Sequence, residues 1–353
     1  MLCRALAGLD TEALSKFTRL GYLPKIFDMA RTQDVLPALA VRCVEQHIDH
    51  RHLDEDRSRS LLGALRENTL RNMKISAQAL KLTNNLNQAG IIPLFLKGTA
   101  KLLQSEEGSL GFRKQIDIDL IVEPEHIQTA CEVFLSHGYH FHYDLGNIPD
   151  VPYSRDDIDA ALAFSQAHHH LPPLVKKNYE TTVELHKHFL PKRFQRRVQL
   201  APFFSTAIEH TSHHVKFKVP NVNHQLIHIL LGKLVHDGHF AKKTFPIREA
   251  CDFVELMADC DPSSGLDLVT EYCGNSLSTF RQLVDEIMGA EHRPVFGSRR
   301  GVSLRLATMR KRYNSEFLAV LLNTYARSLH LCVSLLHNPE KASAYLRRNY
   351  PPS

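Results

Sequence analysis

Ile91-Ile92-Pro93-Leu94-Phe95-Leu96-Lys97-Gly98-Thr99 and, a little further on, Arg113-Lys114-Gln115-Ile116-Asp117-Ile118-Asp119-Leu120-Ile121-Val122 decide how this chain is read. The first stretch is an apolar run that breaks at a glycine. The second carries two carboxylates spaced i, i+2. That spacing puts both on one face of a β-strand, with Ile116, Ile118, Leu120 and Val122 on the other. Burying charge beside an apolar strand is expensive unless a cation or hydrogen bonds compensate it. Asp117 and Asp119 are therefore the leading metal-ligand candidates.

Outward from this pair, Gly98 opens a turn into a helix over about 99–104, and Gly108 and Gly111 mark a loop before the strand. Pro124, flanked by Glu123 and Glu125, suits a first helical turn, and that helix runs to about His137 and stops at Gly138. A further strand is expected over 139–143, then a polar, proline-bearing insert over roughly 145–178. In Thr181 to Phe189 the period of two places Glu184, His186 and His188 on one face and Lys187 on the other. Residues 1–88 read as amphipathic helices, from the spacing of Leu36, Leu39, Val41 and Val44 and of Leu61, Leu62, Leu65 and Leu70. From 201 onward the pattern is mostly helical. The expected fold class is thus α/β (α+β): a core with a small mixed sheet over 89–200, flanked by helical regions at 1–88 and 201–353.

With 353 residues, 43% of them hydrophobic, the chain can bury a sizeable core in two or three sub-domains. A net charge of +5 is compatible with anionic partners without demanding nucleic acid. The seven cysteines are scattered and contain no C-x-x-C pair, so they read as reduced thiols in a cytoplasmic protein. Asp10 and Glu12 precede any long apolar run, which argues against a secretory signal. The apolar segment Phe317 to Leu336 is interrupted by Asn323, Arg327 and His330, so it reads as a buried helix, and no membrane partner is expected.

Three carboxylates on neighbouring strands facing one cleft can hold one or two Mg²⁺ (or Mn²⁺) ions, which bridge nucleotide phosphates and activate an attacking oxygen. Gly98 would let the backbone approach a phosphate, with the N–H groups of the following helix facing it. Lys97 and Arg113 would neutralise the remaining phosphate charge.

Gly98-Thr99 followed by Asp117-x-Asp119 resembles the nucleotidyltransferase signature. The fuller pattern, Leu96-Lys97-Gly98, Arg113-x-x-x-Asp117-Ile118-Asp119-Leu120-Ile121-Val122 and Val183-Glu184-Leu185-His186, is similar to the uncharacterised nucleotidyltransferases of the polymerase-β superfamily. The resemblance covers roughly residues 75–260. Such proteins often carry a later Leu-Arg-x-x-x-Asp stretch, and Ile247-Arg248-Glu249-Ala250-Cys251-Asp252 stands in its place. The resemblance implies Asp117, Asp119 and Glu184 as catalytic and metal-binding residues. Lys97, Gly98, Thr99, Arg113 and His186 would lie around the nucleoside triphosphate. Thr99 replaces the commoner serine, and Glu184 the commoner Asp, which leaves the reach of the third acid open.

The implied activity moves a nucleoside monophosphate from a triphosphate to a hydroxyl or phosphate acceptor (a small molecule, peptide or RNA) and releases pyrophosphate. Three rivals stand beside it. One is a catalytically silent nucleotide- or partner-binding module on the same fold. Another is a toxin-like enzyme nucleotidylating tRNA or protein, with Arg193, Arg196 and Arg197 as RNA contacts. The third is a helical zinc hydrolase on His224, His228, His236 and His239, which lacks a His-Glu-x-x-His motif. That helix reads better as a wall of the nucleotide cleft, with His236 or Arg248 near the base or acceptor. Asp156-Asp157-Ile158-Asp159 repeats the acidic pattern only superficially and reads as a helix N-terminal cap. The basic run Lys192 to Arg197 reads as a solvated surface.

Overall fold

A computed structural model describes residue 6 and residues 13–105, 110–142, 157–166, 168–239, 245–258 and 267–288. Among them one mixed sheet is built from β1 (Leu94–Phe95), β2 (Asp117–Ile121), β3 (His140–Phe141), β4 (Leu174–Val175), β5 (Thr182–His186), β6 (Ile208–Ser212) and β7 (Val215–Val219). Their spatial order is β3-β4-β5-β2-β1-β7-β6. β2 runs antiparallel to β1 and parallel to β5, and the β2–β5 register sets Asp119 opposite Glu184 and Ile121 opposite His186.

The helices used below are α1 (Ala13–Arg19), α2 (Leu23–Thr32), α3 (Leu36–Glu45), α4 (Glu55–Gln88), α5 (Lys97–Gln104), α6 (Ile127–Ser136), α7 (Ile158–Phe164), α8 (Lys192–Gln195), α9 (Ala201–Ser205), α10 (Val222–Ile227), α11 (Ile247–Ala258) and α12 (Asp267–Met288). A wider, π-helical stretch continues α10 over His228–His236.

Strand alternation divides the interior into two cores. Ile118 and Leu120 of β2 and Val183 and Leu185 of β5 point to one face, where they pack with Ile75, Ala79, Leu82 and Leu86 of α4 and with α6. The other face carries Asp117, Asp119, Glu184 and His186. There Leu94, Leu96, Ile121 and Phe189 join the core of α10, the π-helical stretch, α11 and α12. The acids therefore lie between the sheet and the later helices. From Asn68 onward the buried residues of α4 recur every three or four positions, which lets one 34-residue helix span the sheet.

The sequence reading holds for the class of fold and for most element positions. Gly138 ends the helix after Pro124 with φ +77°, and Asp157 caps α7 by accepting from the Ala160 N–H at 2.9 Å. Four details differ. Ile116 lies before β2 and is 56% exposed, and the first apolar run gives a strand of only two residues. Val44, Leu62 and Leu70 face solvent. Residues 208–219, expected within a mostly helical region, form the β6–β7 hairpin instead: Val215, Phe217 and Val219 alternate to a buried face, and Phe217 and Val219 join the α4-side core. Gly108, Asp156, residues 145–156 and 167 of the expected insert, and Phe317 to Leu336 lie outside the described residues. Among those described, no helix is long and apolar enough to cross a membrane.

Candidate active site

The Asp119 carboxylate lies at the centre of the cluster, with its side chain 1% exposed. Its Oδ1 accepts hydrogen bonds from Lys97 Nζ at 2.6 Å and from His186 Nε2 at 2.8 Å. Glu184, on the neighbouring strand, brings Oε2 within 3.5 Å of the same His186 nitrogen. One ligand atom from each of Asp119, Glu184 and His186 lies within 4.8 Å of the others, a separation able to hold a metal ion. Asp117 stands two residues away on the same face and is not one of this group.

The electrostatics follow from burial and proximity. Burial alone would raise the Asp119 pKa, but the Lys97 charge and the His186 hydrogen bond hold it well below the usual carboxylate range. Glu184 is likewise lowered: burial opposes this, and the His186 bond outweighs it. Burial pulls Lys97 and His186 down, and the nearby acids more than offset this, so both end above their ordinary values. Among the described residues Asp117 has no salt-bridge partner, and the more distant Lys97 charge lowers it only in part. Burial first, then the Asp119 charge, pushes it from 3.8 up to about 6.

Lys97 enters the site from a left-handed backbone, φ +50°, an uncommon state for a residue with a side chain. Gly98 follows at the start of α5. A Cβ there would lie 1.9 Å from Gln115 Oε1 and 2.3 Å from Arg113 Nη1, so the space expected to admit a phosphate is filled by these two side chains. Thr99 is fully buried and joins α5 to β2. Its hydroxyl accepts from the Asp119 N–H at 3.1 Å and donates to the Asp117 carbonyl at 3.3 Å.

Arg113, expected to meet phosphate, donates instead from Nε to Asp252 Oδ2 of α11 at 3.1 Å and from Nη1 to Gln115 Oε1 at 3.1 Å. Lys101 of α5 bonds the other Asp252 oxygen at 2.8 Å. Gln115 then donates to the Asp117 carbonyl at 2.6 Å and to the Thr99 hydroxyl at 3.2 Å. A continuous hydrogen-bonded relay thus runs from α11 to the backbone of the Asp-x-Asp strand. Asn72 of α4 holds its loop from below, donating to the Leu110 carbonyl at 2.6 Å and the Arg113 carbonyl at 2.7 Å. Sequence reasoning missed Gln115, Asn72 and Lys101. Only Asp252 carried a signal, as the end of the Ile247-Arg248 stretch.

The histidines divide between roles. His186 is ringed by His169 and His170, at centroid distances of 5.3 and 5.5 Å, and His236 lies 6.3 Å from His169. His188, beyond the end of β5, stacks on Phe189 and bonds the Leu190 N–H, so it packs away from the acids. His224 and His228, the expected i, i+4 pair, pack their rings against Phe189. Arg248 pairs with Glu249 at 2.9 Å. In the basic run, Lys192 bonds the Gln166 carbonyl, Arg193 lies over the Phe194 ring and Arg197 bonds the Glu271 carbonyl.

A cavity of about 770 Å³ opens at the turn, lined by Lys97, Gly98, Arg113, Gln115, His228 and Lys233 among others. It touches none of the three acids directly.

An apolar strand, a Gly-Thr turn into a helix, an Asp-x-Asp strand and an acid on its parallel neighbour are the layout of a nucleotidyltransferase core. Residues 23–273 match the model of an uncharacterised nucleotidyltransferase family, and the chain belongs to that family. No curated protein and no solved structure matches the chain.

Two outcomes are expected. The folded chain keeps the Asp117 proton between pH 3.8 and about 6, where an unfolded chain has released it, so stability is lost as pH rises through that window. Asp117→Asn removes this loss, and denaturant titrations should show it gaining about 1–3 kcal/mol over wild type between pH 4 and pH 7. A difference that does not change with pH contradicts the assignment. Asp252→Asn leaves Arg113 and Lys101 short of a buried counter-charge and should lower stability by about 3 kcal/mol. In a double-mutant cycle, Arg113→Met should then add much less than it removes from wild type. Additive losses would break the relay.

Proposed function

We propose that the chain is a divalent-metal-dependent nucleotidyltransferase. It transfers a nucleoside monophosphate from a nucleoside triphosphate to a hydroxyl or phosphate acceptor and releases pyrophosphate. The observation that carries this reading is the convergence of Asp119, Glu184 and His186 beside the Gly98-Thr99 turn, within a chain of the nucleotidyltransferase family. The donor set fits a divalent ion such as Mg²⁺ or Mn²⁺: a buried and a half-buried carboxylate within reach of one ion, with Asp117 close enough to add to their mutual repulsion.

Asp119 and Glu184 would hold the ion, with Asp117 alongside. The ion, when bound, supplies charge neutralisation and orientation at the phosphates. Lys97, no longer needed as the counter-charge of Asp119, would turn its ammonium to the phosphate oxygens. In the transfer the acceptor oxygen bonds to the α-phosphorus and the bond to the bridging oxygen breaks. Pyrophosphate leaves, and Glu184 takes the proton of a hydroxyl acceptor. The cavity beside Lys97 and Gly98 has the volume for a nucleoside. Thr99, Gln115 and Arg113 would act indirectly, by holding the turn and strand in register.

A binding-only module gains some support from the Lys97–Asp119 pair, which satisfies the central acid without a metal. The RNA-directed reading is weakened, since two of its three arginines, Arg193 and Arg197, are engaged within the chain.

Incubation with each α-labelled triphosphate and pools of small-molecule, peptide and RNA acceptors tests the proposal. Label should pass to one pool in the presence of a divalent ion. Asp119→Asn and Glu184→Gln should each lower the rate by about a thousandfold, the scale of losing a charged group that acts in the transition state. Metal-dependent triphosphate binding with no transfer to any pool would favour the binding module.

A further inference from the structure

We infer that His186 is itself a ligand of the divalent ion, so that Asp119, Glu184 and His186 form a carboxylate–carboxylate–imidazole site favouring Mn²⁺ or another first-row transition ion over Mg²⁺. This rests on the nucleotidyl-transfer reading of the same site and names the class of cofactor which that reading leaves open.

Ions bound at about 2.1 Å place neighbouring ligand atoms about 3 Å apart and opposite ones about 4 Å apart. His186 Nε2 lies 2.8 Å from Asp119 Oδ1 and 3.5 Å from Glu184 Oε2, and the three ligand atoms lie within 4.8 Å of one another. The two separations from Nε2 match those of neighbouring ligand atoms around one ion. The strand dictates the arrangement, since Glu184 and His186 are two residues apart on β5 and share the face that Asp119 meets from β2. His186 is fully buried, and the rings of His169 and His170 pack around it, which confines its imidazole to the carboxylates.

Mg²⁺ prefers oxygen ligands and keeps several waters, whereas imidazole suits transition ions. A buried nitrogen held between two carboxylates therefore shifts the preference of the site away from Mg²⁺. Nδ1 of His186 is buried and has no hydrogen-bond partner among the described residues. Coordination through Nε2 requires that nitrogen to be free of its proton, which leaves Nδ1 as the protonated atom of a neutral ring. The competing role leaves His186 as a positioning residue that only orients Asp119 through its hydrogen bond.

The two roles separate in a metal-binding experiment on the full chain freed of metal. Mn²⁺ is titrated with Mg²⁺ as competitor, and pulsed electron paramagnetic resonance of bound Mn²⁺ reads directly coordinated nitrogen. The wild type should show a coupled imidazole nitrogen. His186→Gln, which keeps an N–H donor toward Asp119, should lose that nitrogen and lower the Mn²⁺-over-Mg²⁺ preference about tenfold or more. The wild-type spectrum needs no variant, so it decides the matter even if His186→Gln folds poorly. Bound Mn²⁺ without a coupled nitrogen, with binding lost in Asp119→Asn, would overturn the inference and leave the transfer reading standing. Mn²⁺ binding unaffected by Asp119→Asn would overturn both.

Discussion

One buried carboxylate organises this molecule. Asp119 is 1% exposed, and a charge so placed persists only with compensation at short range. Lys97 and His186 provide it from opposite sides, one from the turn after β1 and the other from the end of β5. Meeting that need fixes three elements at once: a left-handed backbone at Lys97, close approach of α5 to β2 through Thr99, and parallel pairing of β2 with β5 in a register that sets Glu184 beside Asp119.

A second layer of charge holds this arrangement from behind. Asp252 on α11 binds Lys101 and Arg113, and Gln115 carries the connection on to Thr99 and Asp117. Burial would raise Asp252, and the two cations keep it below its ordinary value, so the carboxylate remains a counter-charge for both. The later helices therefore do more than cover the sheet. Through Asp252 they tie the turn and the Asp-x-Asp strand to one position, and with their core they close the face on which the acids lie.

Much of this was legible along the chain, and the illegible parts share a physical cause. Asp117 and Asp119 announced themselves because carboxylates in an apolar strand are costly, and Glu184 because its strand alternates. Their difference could not be read: period two puts both aspartates on one face, yet only Asp119 meets Lys97 and His186. Arg113 looked like a free cation because Asp252, its partner, lies 139 residues away. The β6–β7 hairpin was hidden for two reasons. Its outer strand exposes Ile208, Glu209 and Thr211, so β6 has no clear apolar face. Its turn is His213-His214, at φ +47° and +67°, where Asn-Gly is the usual signal for that backbone.

The role proposed for the Asp119–Glu184 pair is that of a divalent-ion site serving a nucleoside triphosphate. A crystal structure of the full chain with Mn²⁺ and a non-hydrolysable triphosphate analogue, read by manganese anomalous scattering, tests it most directly. The expected result is an anomalous peak bound by Asp119 and Glu184, with the Lys97 ammonium moved from Asp119 to the phosphates. An analogue bound elsewhere, with the Lys97–Asp119 pair intact and no anomalous peak between the two acids, would contradict it.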